Sequence, residues 1–540
     1  MATTRIINAQ IIDGTGKKPF QGEVTLHGGV ILSVGEAKSG PAGPQADQVI
    51  DAGGMVVCPA FVDIHRHPDI RPFDPAWRGE VELRQGIGTT VCGNCGMSMA
   101  PADPAHAREQ YAFNEPVLGP VCPDPPADYP AYARALSEKR LPLNMAAMIG
   151  TGSVRTSIKG FSAAPYTPAE LDRAAAMIDE ALQCGAPGVS LGIMYLPECY
   201  TTADEYARLL APVGRRGSVI CTHMRGEGDT LEKSVAEVID IAARAGCALE
   251  ISHFKCCSKR LWRDGVFRAI ERIEAARAHG QDVTCDFYPY TGGSTALTTM
   301  LPPAYVSGDL DGALRRLGTR AGAEAFVRAS KVDYPDWDNS VVQLGWDRIV
   351  ISGVAHPENR RFIGLSVAEA AERYGFDEPG LLAAHLMHTD GGKTAIITMS
   401  MHPDDVDDIA WLPYSFVISD AIYADTDTPH PRMYGAMPRM ISDFVMKRHV
   451  LPLETAIHKM TGGPARRMGL QKGVIKPGTD GDILIFDPRS LGDNATYLEP
   501  TRMATGLRLM LLGGAPVIEN DAAVRADAGR FVTRRYDTKG

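Results

Sequence analysis

The sequence predicts an α/β protein: a barrel of parallel strands and crossover helices, with a small β domain drawn from both ends of the chain. Three observations predict it. Strand-like and helix-like runs alternate through the middle of the 540 residues, the pattern of parallel strands joined by helical crossovers. Polar residues suited to chemistry recur at the C-terminal ends of successive apolar runs, where a barrel places its active site. The two ends of the chain read instead as short strands broken by Gly, Asp and Pro. Alternation alone fits a doubly wound sheet as well; the strand-end placement of the polar residues favours the barrel. The length suits one large barrel plus an accessory domain.

In chain order, RIINAQIIDG, EVTLHGGVILSVG and QVIDAGGMVV make residues 1–55 a set of short strands. Barrel strands are then expected within 56–469 at MVVCPAFVDIHRH, GTTVCGNC, LNMAAMIG, GVSLGIMY, SVICTHMR, ALEISHFK, DVTCDFYPY, AIITMS and YSFVISD. Helices follow several of these. Thr167-Pro168 opens TPAELDRAAAMIDEALQCG, and Asp229 opens DTLEKSVAEVIDIAARAG. Ala112 to Pro130 reads as a Pro-rich loop. Residues 291–394 break the rhythm, with Gly- and Pro-rich pieces and no metal-type motif, and are read as an insertion over the barrel mouth that serves as a lid. From 470 to 540, GDILIFDP, GLRLMLLGG and APVIEND are strand-like again and are expected to pair with the first 55 residues in one discontinuous β domain.

The bulk numbers set limits. A net charge of −10 makes the chain a poor candidate for non-specific nucleic-acid binding. MATTRIINAQIIDG lacks a basic stretch followed by an apolar run, and no segment offers the roughly 18 apolar residues of a membrane span. Eleven cysteines, an odd count without framework spacing, read as reduced thiols. The expectation is a cytoplasmic protein acting on a small molecule.

The chemistry begins at Phe61-Val62-Asp63-Ile64-His65-Arg66-His67. Histidines at i and i+2 on a strand point to one face, so His65 and His67 can reach one cation. Cys221-Thr222-His223 and Ile251-Ser252-His253 each place a histidine at the end of an apolar strand. Singly, each is better explained as a satisfied rim residue; together at three strand ends they read as metal ligands, and imidazole suits zinc. In Cys92-Gly93-Asn94-Cys95 the spacing places Cys92 within a strand and Cys95 in the turn beyond, so Cys95 is expected as a thiolate ligand and Cys92 as structural. Ile418-Ser419-Asp420 ends the last barrel-like strand. Asp420 is a helix cap in the plainer reading; beside the His65 strand it is an acid/base that takes a proton from attacking water and returns it to a leaving amine.

These stretches resemble the amidohydrolase superfamily and, within it, the N-acyl-D-amino-acid deacylase (D-aminoacylase) family. The resemblance rests on PAFVDIHRHPD, GTTVCGNCGMSMAP, THMRGEGD, ISHFK, DFYPYTGGST, ISD, HPRMYGAMPR, KMTGGPARRMGL and GTDGDILIFDP, spread over roughly residues 50 to 490. It implies a distorted TIM (β/α)8 barrel with a β-sandwich built from both termini. It implies a tight zinc site at Cys95, His223 and His253, a second, weaker site using His65 and His67, and Asp420 as the acid/base. The chain departs from the family at Thr151, where Gly-His-Gly is common, at Ala421, where Gly is usual, and at Arg66, which is larger than usual. These differences bear on substrate preference.

Substrate contacts are expected at Lys255 and Arg432, the preferred binders of a substrate carboxylate, with Tyr288, Tyr290, Tyr195 and Ser294 around them. Arg225, two residues past His223, is either a third cation for substrate or the partner of Glu227 or another acid outside the site. The segments 191–196 and 288–297 contain no Lys or Arg, while Met194 and Leu196 offer apolar surface. A neutral, apolar substrate side chain is therefore expected, unless Arg315, Arg316, Arg320, Arg328 or Arg348 of the insertion brings in a charge. Two other readings stand beside this one: a ring-opening hydrolase of cyclic amides, and an inactive scaffold on the same fold. A scaffold would be expected to lose ligands, and all six candidates are present.

Overall fold

The computed structural model describes residues 2–36, 46–120, 126–306, 309–423, 426 and 428–536. Parallel strands form its centre. Phe61–Asp63, Ile87–Cys92 and Asn144–Ala147 make one sheet. Ile149–Gly150, Gly188–Gly192, Val219–His223, Ala248–Ile251, Val283–Phe287 and Ser415–Val417 make another. Every residue of Val219–His223 and Val283–Phe287 is buried, as expected for parallel strands covered on both faces. The sheets meet at both ends. Met148 N–H donates to Cys92 O across the first junction. At the other, Arg66 forms a parallel bridge with Ala421, and Asp420 N–H donates to His65 O at 2.9 Å.

The helices between these strands follow their sequence signals closely. Pro168–Gln183 starts at a capping box in which Thr167 and Glu170 satisfy each other's backbone N–H. It buries Leu171, Ala174, Ile178, Ala181 and Leu182, a single helical stripe. The helix expected from Asp229 begins later, at Leu231, and Thr230 caps it without a side-chain bond. Asp229 is taken instead by Ser258 Oγ at 2.6 Å and by Arg260. The Pro-rich loop expected over 112–130 is largely helical at its two ends, in Ala107–Leu118 and Tyr129–Ser137. Pro116 sits in the last turn of the first helix, and Tyr129-Pro130 starts the second. Residues 121–125 of that stretch lie outside the described residues.

Both ends of the chain enter one nine-stranded sheet. Val56–Pro59 pairs with Gln10 and Ile11 on one side and antiparallel with Ile483–Phe486 on the other. The run from Met55 to His67, which reads as one strand, is thus two: Val56–Pro59 in this sheet and Phe61–Asp63 in the parallel one. AIITMS also differs from expectation. Ala395–Thr398 is the middle strand of a small antiparallel sheet with Gly293–Ala296 and Ile349–Gly353. A four-residue apolar run looks alike in either setting, because only its distant partners differ. This small sheet and the helices between 303 and 389 pack on an apolar core of their own, with Phe326, Phe362, Leu382 and Ile396 at its centre. Among the described residues no helix is long and apolar enough to cross a membrane, and the ten described cysteines are all free.

Candidate metal centre and substrate cleft

The six residues singled out as ligands meet at the C-terminal ends of the parallel strands. Cys95 is their centre, its Sγ lying 3.2 Å from His65 Nε2 and 3.6 Å from His253 Nε2. Two buried triplets offer donor atoms within 4.8 Å of one another: His65, His67 and Cys95, and Cys95, His223 and His253. Asp420 Oδ1 stands 3.5 Å from His65 Nε2 and 3.4 Å from His67 Nε2. His65 and His67 lie just past the end of strand Phe61–Asp63 rather than on it, yet both face Asp420 as expected of one face, and Arg66 between them turns the other way. Its guanidinium donates to Tyr423 OH at 2.8 Å, Ser419 Oγ at 3.0 Å and Met433 O at 3.2 Å, and it does not line the cleft.

Holding these groups together strains the backbone. Cys95, His253 and Asp420 have φ of 54°, 37° and 48°, three of the eight non-glycine residues with positive φ among those described. Side chains there are costly unless the surroundings impose them, and such strain gathers at functional sites.

The donor set fits a divalent metal. Burial pushes the Cys95 thiol well above its usual range, so its thiolate needs a cation beside it. Burial likewise lowers His65 and His67 to about 4, which leaves their imidazoles neutral and able to ligate. Burial also opposes charge on Asp420, but Arg432 Nη2 at 2.8 Å, His67 and His65 outweigh it and hold the carboxyl well below the usual range.

Behind the ligands stand groups that the sequence reading did not place. Asp286 accepts the His253 N–H at 2.5 Å and lies 3.7 Å from His65 Nδ1. Glu227 Oε1 is 2.9 Å from His253 Nδ1 and 2.7 Å from Lys255 Nζ. With Nε2 of His253 facing Cys95, its Nδ1 meets both Glu227 Oε1 at 2.9 Å and Lys255 Nζ, which can only donate, at 2.8 Å, so these two groups together orient the ring. Arg225 was read as a substrate cation or as the partner of Glu227 or another acid; Glu227 goes to Lys255, and Arg225 takes another acid. Arg225 is held by Glu237 through three hydrogen bonds of 2.9 to 3.1 Å.

A cleft partly open to solvent lies over this floor. Lys255, Arg432, Tyr288, Tyr195, Ser294 and Arg225 all border it. Tyr288 stands between two cations, its ring centre 4.4 Å from the Arg432 guanidinium and 5.8 Å from Lys255 Nζ. Tyr195 OH meets His223 Nδ1 at 3.3 Å. Tyr290, expected to touch substrate, does not line the cleft. Its hydroxyl faces Asp493 at 3.3 Å and its ring packs on His430 and Tyr497. Thr151 also turns away, bonding Glu198, whose carboxyl burial raises to about 7. From the insertion, Trp337, Asp338, Gln343 and Leu344 reach the cleft wall. No local motif marks them, because only the packing of the insertion onto the strand ends brings them there. None of Arg315, Arg316, Arg320, Arg328 and Arg348 borders the cleft.

The chain is similar to known proteins. The pattern described as "Amidohydrolase family" matches residues 417–518. An N-acyl-D-glutamate deacylase of Alcaligenes xylosoxydans xylosoxydans is 32% identical over 94% of this chain and 92% of its own length. A D-aminoacylase of the same organism is 28% identical over 97% and 96%. The crystal structure of N-acyl-D-glutamate deacylase from Bordetella bronchiseptica, complexed with zinc and a phosphonate mimic of the tetrahedral intermediate, superposes with a TM-score of 0.81. It is 30% identical and covers 98% of this chain and 99% of that one. The strand-end donor cluster and these likenesses define a metal-dependent amidohydrolase. Within that class, the chain belongs to the N-acyl-D-amino-acid deacylase family.

Proposed function

We propose that this protein is a zinc-dependent deacylase that cleaves the amide bond of N-acyl-D-amino acids with neutral, apolar side chains, releasing a carboxylate and the free D-amino acid. The observation that carries the reading is the meeting of Cys95, His223 and His253 with Asp420 on a cleft that also holds Lys255 and Arg432. In this reading the parallel strands close as a distorted (β/α)8 barrel, supported by the Arg66–Ala421 bridge, and the nine-stranded terminal sheet forms the β-sandwich domain.

Cys95, His223 and His253 would hold the tight zinc, the thiolate and imidazole set that zinc favours. His65 and His67 would complete a weaker second site that shares Cys95. Bound zinc supplies Lewis acidity, which polarises the scissile carbonyl and makes water a competent nucleophile near neutral pH. Asp420, kept ionised by Arg432, takes the proton of the attacking water. As the tetrahedral intermediate collapses, Asp420 hands that proton to the departing amine nitrogen, which cannot leave as an anion. Lys255 and Arg432, on either side of Tyr288, bind the substrate α-carboxylate and fix the amide over the floor.

The side-chain preference follows from the cleft's charges. Each of its three cations already has an acid: Arg225 has Glu237, Lys255 has Glu227 and Arg432 has Asp420. One substrate carboxylate can share Lys255 and Arg432. A second would find no free cation among the described residues and would face Asp338, a costly burial for an unpaired charge. Met194, Met300 and Leu344 offer apolar wall instead. The test is a panel run on zinc-loaded protein: N-acetyl-D-methionine, its L enantiomer, its carboxamide, N-acetyl-D-glutamate and a hydantoin. Highest kcat/KM is expected for N-acetyl-D-methionine. Preference for the glutamate overturns the side-chain reading, equal rates for acid and carboxamide remove the carboxylate clamp, and preference for the hydantoin moves the enzyme to ring opening.

A further inference from the structure

The insertion reaches the floor of the site through one carboxylate. Asp338 accepts five hydrogen bonds. Its Oδ2 takes the N–H groups of Glu227 at 2.8 Å and Gly228 at 2.7 Å, and Thr230 Oγ1 at 3.1 Å. Its Oδ1 takes Thr230 N–H and Gln343 Nε2, both at 3.0 Å. Three of these donors are backbone N–H groups at the entrance of helix Leu231–Ala245, which has no side-chain cap of its own. A carboxylate is favoured there by the unpaired N–H groups and by the helix dipole. The fit is close. A Cβ on Gly226 would meet Thr230 Oγ1 and Asp338 Oδ2 and one on Gly228 the Gln343 amide, so these glycines leave Thr230, Asp338 and Gln343 free to make their bonds.

What this loop carries gives the contact its meaning. Glu227 lies inside the clamped stretch, and its carboxylate holds Lys255 Nζ and faces His253 Nδ1. The Cys257 N–H, donating to Glu227 O at 2.6 Å, ties the same residue to the segment just past Lys255. A displaced Glu227 would leave Lys255 Nζ without its carboxylate partner, with only His253 Nδ1 and His253 O beside it.

We propose that Asp338 is a positioning residue. By fixing the backbone of residues 227–230 it places Glu227, and through Glu227 the ammonium of Lys255, so that seating of the insertion sets how well the substrate carboxylate is bound. A helix cap of purely structural value would stabilise the fold without this consequence. The substrate half of the idea rests on the deacylase reading; the clamp itself does not.

The experiment therefore has two readouts. Hydrogen exchange of the 226–231 amides reports the clamp whatever the substrate. Asp338→Asn keeps the shape but replaces one acceptor oxygen with a donor, and those amides should exchange at least about 10-fold faster. On zinc-loaded enzyme, KM for N-acetyl-D-methionine should rise about 10-fold with kcat within about 3-fold, the signature of lost ground-state binding. In a Glu227→Gln background the same substitution should add less than about 2-fold to KM, because residues acting through one another are not additive. Thr230→Val, which removes only the hydroxyl contact, should shift KM in the same direction by less, and it serves if Asp338→Asn does not fold. Unchanged exchange overturns the clamp. An equal KM cost with and without Glu227, or a fall in melting temperature with KM untouched, overturns the positioning role. A wild-type enzyme inert toward N-acyl-D-amino acids with accelerated exchange in Asp338→Asn would refute the deacylase reading and leave the clamp standing.

Discussion

At the floor of the cleft the chemical groups stand on the ends of fully buried parallel strands, at strained backbone positions imposed from several sides. At its wall, Trp337, Asp338, Gln343 and Leu344 stand on a loop and a short helix of a segment that packs on a separate apolar core. The floor must hold atoms in place to tenths of an ångström, and a stiff, shared core does that. The wall presents a surface and steadies one loop through Asp338, so it tolerates thinner support and its own folding unit. The difference predicts that damage to the floor abolishes chemistry while damage to the wall changes stability and substrate handling.

The largest effect should come from the residue both triplets share. In the proposed site Cys95→Ala would remove a ligand outright, where losing even an outer partner costs about 10- to 100-fold in affinity. Zinc affinity should fall by at least about 100-fold, and turnover with it. A purified variant with full zinc and full activity would make Cys95 structural. Asp420→Asn separates metal from proton transfer: zinc content should stay, while kcat falls by about 100-fold or more. Near-normal turnover would take Asp420 out of the mechanism. At the wall, Phe326→Ala empties the centre of the insertion core, at a cost of about 3 kcal/mol or more. Zinc per chain should not change while the insertion unfolds at lower temperature; parallel loss of zinc would show that floor and wall are one cooperative unit.

How much of this was legible in the sequence follows the same division. The convergence of His65, His67, Cys95, His223, His253 and Asp420 was readable because all lie at or just past strand ends, which converge in a parallel sheet, and two-residue spacing carries His65 and His67 to one side and Arg66 to the other. Whether Arg225 pairs with Glu227 or another acid stayed open in the sequence, and the fold gave Glu227 to Lys255 and Glu237 to Arg225. Tyr290 shared a motif with Tyr288 but is drawn under the loop by Asp493 and Arg439, which lie 203 and 149 positions away. Asp338 carries no local signal at all. Ala395–Thr398 shows the limit from the other side: its composition announces a strand and its sheet is decided elsewhere.

The nine-stranded sheet sets an order of events in time. Val56–Pro59 lies between the first strand and Ile483–Phe486, so one edge of it waits for a partner made roughly 400 residues later. At about 5 to 20 residues per second, a growing chain carries that edge open for roughly 20 to 80 s. The edge is four buried residues, Val56, Val57, Cys58 and Pro59, and an unpaired apolar edge invites the wrong strand. Slowing the ribosome between the two segments lengthens this exposure without touching the folded protein, so yield of intact enzyme should depend on translation speed through the middle of the message.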